Sequence, residues 1–372
     1  MQAALLWALL LAPAAGHEPP VSLAVGAPAP DFDLPGTDGR RHSLKELASS
    51  PVLVVIFTAN HCPTAQAYED RILKLHHDYA GKGVALVAIS PNDPDAVRLD
   101  ELGYTDLSDT LDEMKIRAKE RGFQFPYLYD GETQAVSKLY GPQATPHVFV
   151  FDKDRRLRFS GRFDDAENPA KTKTHDTRDA LDAVLAGRPA PVETTKVFGC
   201  SVKWREKGSS VEDARKKWAA EPVTLETVST DGLKAIGKNT GGHLRLINAW
   251  ATWCGPCVTE FPDLVDTYRM YKGRGLEVVT VSADTPEKRD EALKLLKERQ
   301  ASMRNVILDS GDSYALVEAV DPKWPGALPY TVLVAPGGQT LYRSVGAFDK
   351  LQLRKAIVDY FGRFYHSKPG GN

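Results

Sequence analysis

The run Leu246-Ile247-Asn248-Ala249-Trp250-Ala251-Thr252-Trp253-Cys254-Gly255-Pro256-Cys257-Val258-Thr259-Glu260 decides the reading of this 372-residue chain. It starts with the apolar pattern of a strand buried on both faces, breaks at a turn carrying two cysteines, and leaves as a helix. Two cysteines separated by two residues at a helix opening close a disulfide with little backbone movement, so the pair cycles between dithiol and disulfide. The helix N-terminus leaves amide N–H groups unpaired and supplies about half a positive charge, which favours thiolate over thiol. On this physics Cys254 is the attacking thiol, and Cys257, one turn inward, resolves the mixed disulfide. A zinc site competes for such a pair, but it needs a second ligand pair that Cys62, Cys200 and the scattered histidines do not supply at suitable spacing. No metal and no cofactor is expected.

Working outward, the same plan occurs twice. Val52-Leu53-Val54-Val55-Ile56-Phe57 is a short apolar run followed by Thr58-Ala59-Asn60-His61-Cys62-Pro63. Residues 65–79 carry apolar side chains at helical spacing, Gly81-Lys82-Gly83 ends that helix, and residues 84–89 form a second strand, a βαβ unit with parallel strands. Residues 92–122 are polar, contain a helix over 109–121 and look like an insertion. Thr145-Pro146 then precedes a strand at 147–151. In the second half, the strand at 244–251, the helix to Tyr271, Lys272-Gly273-Arg274-Gly275 and the strand at 276–281 repeat these elements, and Leu328-Pro329 mirrors Thr145-Pro146. Two copies of one α/β fold fit this repetition better than two unrelated domains.

Length supports the same division, since 372 residues suit two domains of about 150. Residues 1–17 have an apolar core and small residues at its end, the pattern of a secretory signal peptide. The expected units are then 18–189, a tail and linker at 190–222 carrying Cys200, and 223–372. No later run is long enough to span a bilayer, so the mature chain is expected to be periplasmic or secreted, where disulfides persist. A net charge of −2 with 26% charged residues leaves no basic footprint for nucleic acid. Four cysteines are too few to staple a chain of this length, which leaves them available for chemistry.

Trp250-Ala251-Thr252-Trp253-Cys254-Gly255-Pro256-Cys257, with Glu260 and Pro262, resembles the TlpA/ResA-like thioredoxin family of thiol-disulfide oxidoreductases over roughly residues 223–365. The resemblance implies two tandem thioredoxin-like domains, each a central mixed sheet flanked by helices. It implies that Pro329 lies beside the dithiol in a cis peptide bond, where the backbone of a disulfide-containing polypeptide substrate pairs. It also places an acid at Glu260 to tune Cys257, and it favours a reductant fed by a membrane thiol donor. Thioredoxin itself carries a buried Asp in the active-site strand; here that residue is Asn248, which does not titrate.

The first half resembles secreted redoxins of the AhpC/TSA type, related to peroxiredoxins, through residues 57–71, 125–130, 148–154 and the Phe198-Gly199-Cys200-Ser201 tail. Relatives of this kind carry Cys-Asn-His-Cys-Pro at the turn, and here the first of those cysteines is Ala59. An alternative alignment matches Cys62 with Cys254, because each lies 21 residues before its glycine, Gly83 or Gly275. Three readings of Cys62 and Cys200 stay open: a peroxidatic or disulfide-forming pair recycled by the second domain, a static disulfide, or remnants in a binding or scaffold module. His61 reads as a solvated or helix-capping residue and His76-His77 as surface.

Overall fold

The computed structural model describes residues 20–365, so the leader segment expected over 1–17 lies outside the described residues. The first unit starts with a hairpin of β1 (Asp33–Pro35) and β2 (Arg41–Ser43). It continues through β3 (Val52–Phe57), α1 (Pro63–Tyr79), β4 (Val84–Ser90), α2 (Leu111–Arg121), β5 (Tyr127–Tyr129), α3 (Ala135–Tyr140), β6 (His147–Phe151), β7 (Leu157–Gly161) and α4 (Asp176–Leu185). Its five-stranded sheet runs β5-β4-β3-β6-β7; β3, β4 and β5 are parallel, and β6 and β7 return antiparallel. All six residues of β3 are buried, as expected of a strand covered on both faces.

Helix α5 (Ser209–Ala219) follows, and the plan repeats. The second unit comprises β8 (Glu226–Val228), α6 (Thr230–Lys238), β9 (Leu244–Trp250), α7 (Gly255–Tyr271), β10 (Leu276–Ser282), α8 (Arg289–Glu298), β11 (Arg304–Leu308), α9 (Ser313–Val320), β12 (Tyr330–Val334), β13 (Thr340–Val345) and α10 (Lys350–Phe361). Its sheet runs β13-β12-β9-β10-β11-β8, the order of the first with β8 added at the edge. Both units are mixed α/β sheets flanked by helices, with apolar clusters on both sheet faces.

The insertion read over 92–122 has a structural use, because its first part docks on the second unit. Val97 and Leu102 are buried in the second unit's main apolar cluster. Tyr271 donates its hydroxyl to the Thr105 carbonyl at 2.6 Å, Arg274 Nη1 donates to the Gly103 carbonyl at 3.0 Å, and Arg363 pairs with Asp106 at 2.6 Å. The linker contributes as well. Trp218 of α5 is buried, with the Arg269 guanidinium 5.2 Å from its ring centre.

Candidate active site

Strand β9 delivers Cys254 to the N-cap of α7, where its Sγ lies 3.3 Å from the Cys257 amide. The cap is extended, and Pro256 sits in the first helical turn, where its missing N–H costs no hydrogen bond. The two cysteines form a disulfide with Cα atoms 5.3 Å apart. Cys254 retains 6% exposure and Cys257 none, while the neighbouring Trp253 is 66% exposed. An outer thiol, an inner thiol and an exposed aromatic beside them are therefore brought together by one turn. Pro329 follows Leu328 through a cis peptide bond at the start of β12, the strand paired with β9.

Glu260, on the next turn of α7 from Cys257, is buried and holds two partners. Asn248 Nδ2 donates to its Oε1 at 2.9 Å, and the Phe348 amide donates to its Oε2 at 3.2 Å. Burial pushes its carboxyl up to about 7, against the opposing pull of those two hydrogen bonds. Asn248 also donates to Thr331 Oγ1 at 3.0 Å, so a residue that does not titrate positions one that does. Below the turn, Asp284 accepts from the Thr252 amide at 3.0 Å and the Thr252 hydroxyl at 2.7 Å. Sequence reasoning missed Asp284 and Thr331; an acid directly after β10 was the available signal for the first.

In the first unit Cys62 is likewise the N-cap of its helix, with Sγ 3.3 Å from the Ala65 amide. Ala65 therefore stands where Cys257 stands, and the alignment of Cys62 with Cys254 is the one the backbone follows. Cys62 is fully buried and bonded to Cys200, whose own surface is partly exposed, with Cα atoms 5.8 Å apart. Ala59, the position of the relatives' first cysteine, packs in the same small cluster.

His61 is neither solvated nor a cap. It is buried, and its Nδ1 lies 2.5 Å from Asp109 Oδ2, while its Nε2 has no hydrogen-bond partner. Asp109 also accepts from the Asn60 amide at 2.7 Å, the His61 amide at 3.2 Å and Asn92 Nδ2 at 2.8 Å. Burial pushes its carboxyl up, but the His61 ring and these donors outweigh burial and hold it below the usual carboxylate range. Nothing local in the chain signals this contact, because the partners lie 48 residues apart. His77 is exposed as read, and His76 packs edge-on to Phe125.

Among the described residues no group of His, Cys, Asp and Glu side chains is placed to hold a metal ion, and no helix is long and apolar enough to cross a membrane.

The model of the AhpC/TSA family matches residues 25–160 and again residues 212–343. Among curated proteins, the chain is 38% identical over 80 residues to the thiol-disulfide oxidoreductase ResA of Oceanobacillus iheyensis, covering 22% of this chain and 38% of that relative. It is 30% identical over 138 residues to the thiol:disulfide interchange protein HelX of Rhodobacter capsulatus, covering 37% of this chain and 69% of that one. Among solved structures, a hypothetical protein from Sinorhizobium meliloti is 38% identical; the match covers 50% of this chain and 97% of that one, with a TM-score of 0.44.

Proposed function

The chain belongs to the AhpC/TSA family, whose domain it carries twice, and from that premise we propose that it is a thiol-disulfide oxidoreductase acting outside the cytoplasm on disulfide-bearing polypeptides through Cys254 and Cys257. The observation that carries this reading is the cap geometry: Cys254 Sγ sits at the unpaired amides of α7 with Cys257 within disulfide reach behind it.

In the reduced protein the Cys254 thiolate attacks one sulfur of the client disulfide, and the other client sulfur leaves with the electron pair. The partial positive charge of the helix N-terminus favours that thiolate over the thiol. The resulting mixed disulfide joins Cys254 to the client. Cys257 then passes its proton to the Glu260 carboxylate, which titrates near neutrality, and attacks Cys254 Sγ. The second client thiol departs, leaving the Cys254–Cys257 disulfide. Two electrons have moved to the client, and a thiol donor, membrane-bound in this reading, restores the dithiol. The backbone at Leu328-Pro329 is the edge where the client strand lies.

The test is insulin reduction by the full chain with a chemical thiol donor. Cys254→Ser is expected to lower the rate by about 10³-fold or more. Full activity in that variant sinks the assignment.

A further inference from the structure

The tail of the first unit lies across its turn like a bound peptide. Cys200 forms an antiparallel bridge with Thr145, the residue before Pro146, and the Thr145 amide donates to the Cys200 carbonyl at 3.0 Å. The Cys200 sulfur is bonded to the helix-cap sulfur of Cys62. Gly199 is the residue that permits this approach. Its φ is +140°, and a Cβ there would lie 2.1 Å from the Thr145 carbonyl oxygen.

Anchors continue on both sides of the bridge. Before it, the Thr195 amide donates to the Ser160 carbonyl at 3.2 Å. After it, Val202 and Trp204 are buried, the Lys203 amide donates to Asn92 Oδ1 at 2.9 Å, and Gln134 Nε2 donates to the Lys203 carbonyl at 2.8 Å. Such backbone pairing, with buried side chains of the docked segment beside it, is how an extended peptide adds to a sheet. In the second unit, no described segment bridges to Leu328 in the same way.

We propose that residues 197–204 are an internal client of the first unit, and that Cys62–Cys200 is an openable redox centre rather than a fixed staple. An external thiolate attacks Sγ of Cys200, the partly exposed residue of the pair. The S–S bond breaks, and its electron pair goes to Cys62 Sγ, which leaves as a thiolate facing the Ala65 amide at the α1 N-terminus. A second external thiolate then attacks the sulfur of the external partner and frees the Cys200 thiolate, which takes up a proton. Two external thiols become one disulfide, and Cys62 and Cys200 become a dithiol. The flanking anchors hold Cys200 beside Cys62, so an external disulfide supplied as oxidant runs the two steps in reverse: the Cys200 thiolate takes one of its sulfurs and releases the other as a thiol, and the Cys62 thiolate then displaces the second external thiol from Cys200 Sγ and closes the pair.

The test uses the full chain with Cys254 and Cys257 both replaced by serine, so its outcome does not depend on the function proposed for the second unit. The protein is treated with excess reduced glutathione in native buffer, quenched in acid, alkylated and mapped by mass spectrometry. Glutathione is expected on Cys200 with Cys62 free, and the original disulfide is expected to return once reduced glutathione is exchanged for oxidised glutathione, which takes up the two electrons. Glutathione on Cys62, or no opening short of denaturation, overturns the proposal. In the same background Gly199→Ala is expected to speed opening about tenfold, because the added methyl pushes the tail off Thr145. An unchanged rate in the folded variant overturns the claim that this seating guards the bond. The mapping stands on its own should that variant fail to fold.

Discussion

Phe57 stands five residues before Cys62 and pairs with His147, the residue after Pro146. Ala249 stands five residues before Cys254 and pairs with Tyr330, the residue after Pro329. Each cysteine caps a helix of 17 residues and receives the amide three positions on at 3.3 Å. In both units a buried aspartate also accepts from the amide two residues before the cysteine, Asn60 to Asp109 at 2.7 Å and Thr252 to Asp284 at 3.0 Å. The frame is therefore common, and the difference lies in what completes it. The second unit draws its other thiol from the same helix and its aspartate from the end of β10. The first draws its thiol from 138 residues away and its aspartate from within the insertion, with Asn92 at the place of Asp284. One helix cap thus supports either a disulfide closed within its own helix or one closed by the protein's own tail.

The sharpest test of this contrast is charge, because Asp109 faces His61 whereas Asp284 bonds hydroxyls and an amide. Asp109→Asn is expected to cost about 3 kcal/mol of stability, because a fully buried carboxylate that accepts from the Asn60 and His61 amides and Asn92 Nδ2 and meets the His61 ring loses its charge and one acceptor oxygen. Asp284→Asn is expected to cost about 1 kcal/mol. Urea denaturation of the two variants measures both, and equal costs break the distinction. The pH dependences run in opposite directions. Asp109 is held below its ordinary value when folded, so its contribution is present above the usual carboxylate range and is lost as pH falls through the lowered value. Glu260 is raised to about 7, so its contribution is full below about 4.5 and is lost as pH rises through 7. Acid weakens the first turn, and a rise in pH from about 4.5 to 7 weakens the second.

The buried strands β3 and β9, the helices after them and the two X-Pro steps are legible in the chain because each is a local pattern of apolar runs, glycine stops and motif residues. The helix-opening position of Cys254 and Cys257 is legible for the same reason, whereas Glu260 and Pro329 are singled out by the resemblance to TlpA/ResA-like proteins. The pairing of Cys62 with Cys200 is not, because spacing carries no distance between segments 138 residues apart. His61 misleads for a related cause. Its polarity and position suit a surface turn, and only Asp109, delivered by the insertion, offsets the cost of its burial. The insertion itself looks polar and dispensable, yet Val97, Leu102 and Asp106 join the units through it.

The next contrast in size concerns the proton of the second thiol. Glu260 lies one helical turn after Cys257, whereas the matching position of α1, six residues after its cap cysteine, is Tyr68, whose hydroxyl donates to Asp164 at 2.7 Å. Glu260→Gln keeps the size of the side chain and one of its two accepted hydrogen bonds, and removes the titrating proton. Insulin reduction is expected to fall about tenfold at neutral pH, at the low end for a proton acceptor. The rise in rate centred near pH 7 is expected to flatten. A slower enzyme with an unchanged pH profile assigns Glu260 to packing and removes this difference between the turns.

The smallest effect asks whether the tail needs its disulfide at all. Ala65→Cys places a thiol at the position of Cys257, so Cys62 then has two partners, one three residues on and one in the tail. Were the tail free, closing a loop of three residues against one of 138 favours the local pair by orders of magnitude. The bridge at Thr145 and the bonds to Lys203 have already brought Cys200 into place, so most of that entropic advantage is gone. Mass mapping of the oxidised variant is therefore expected to find Cys62 bonded to the introduced thiol in some molecules and to Cys200 in others, the two populations within about tenfold of each other. Exclusive pairing with the introduced thiol means that the tail is held by its disulfide alone, and the first unit then differs from the second by the lack of one sulfur atom rather than by a bound internal strand.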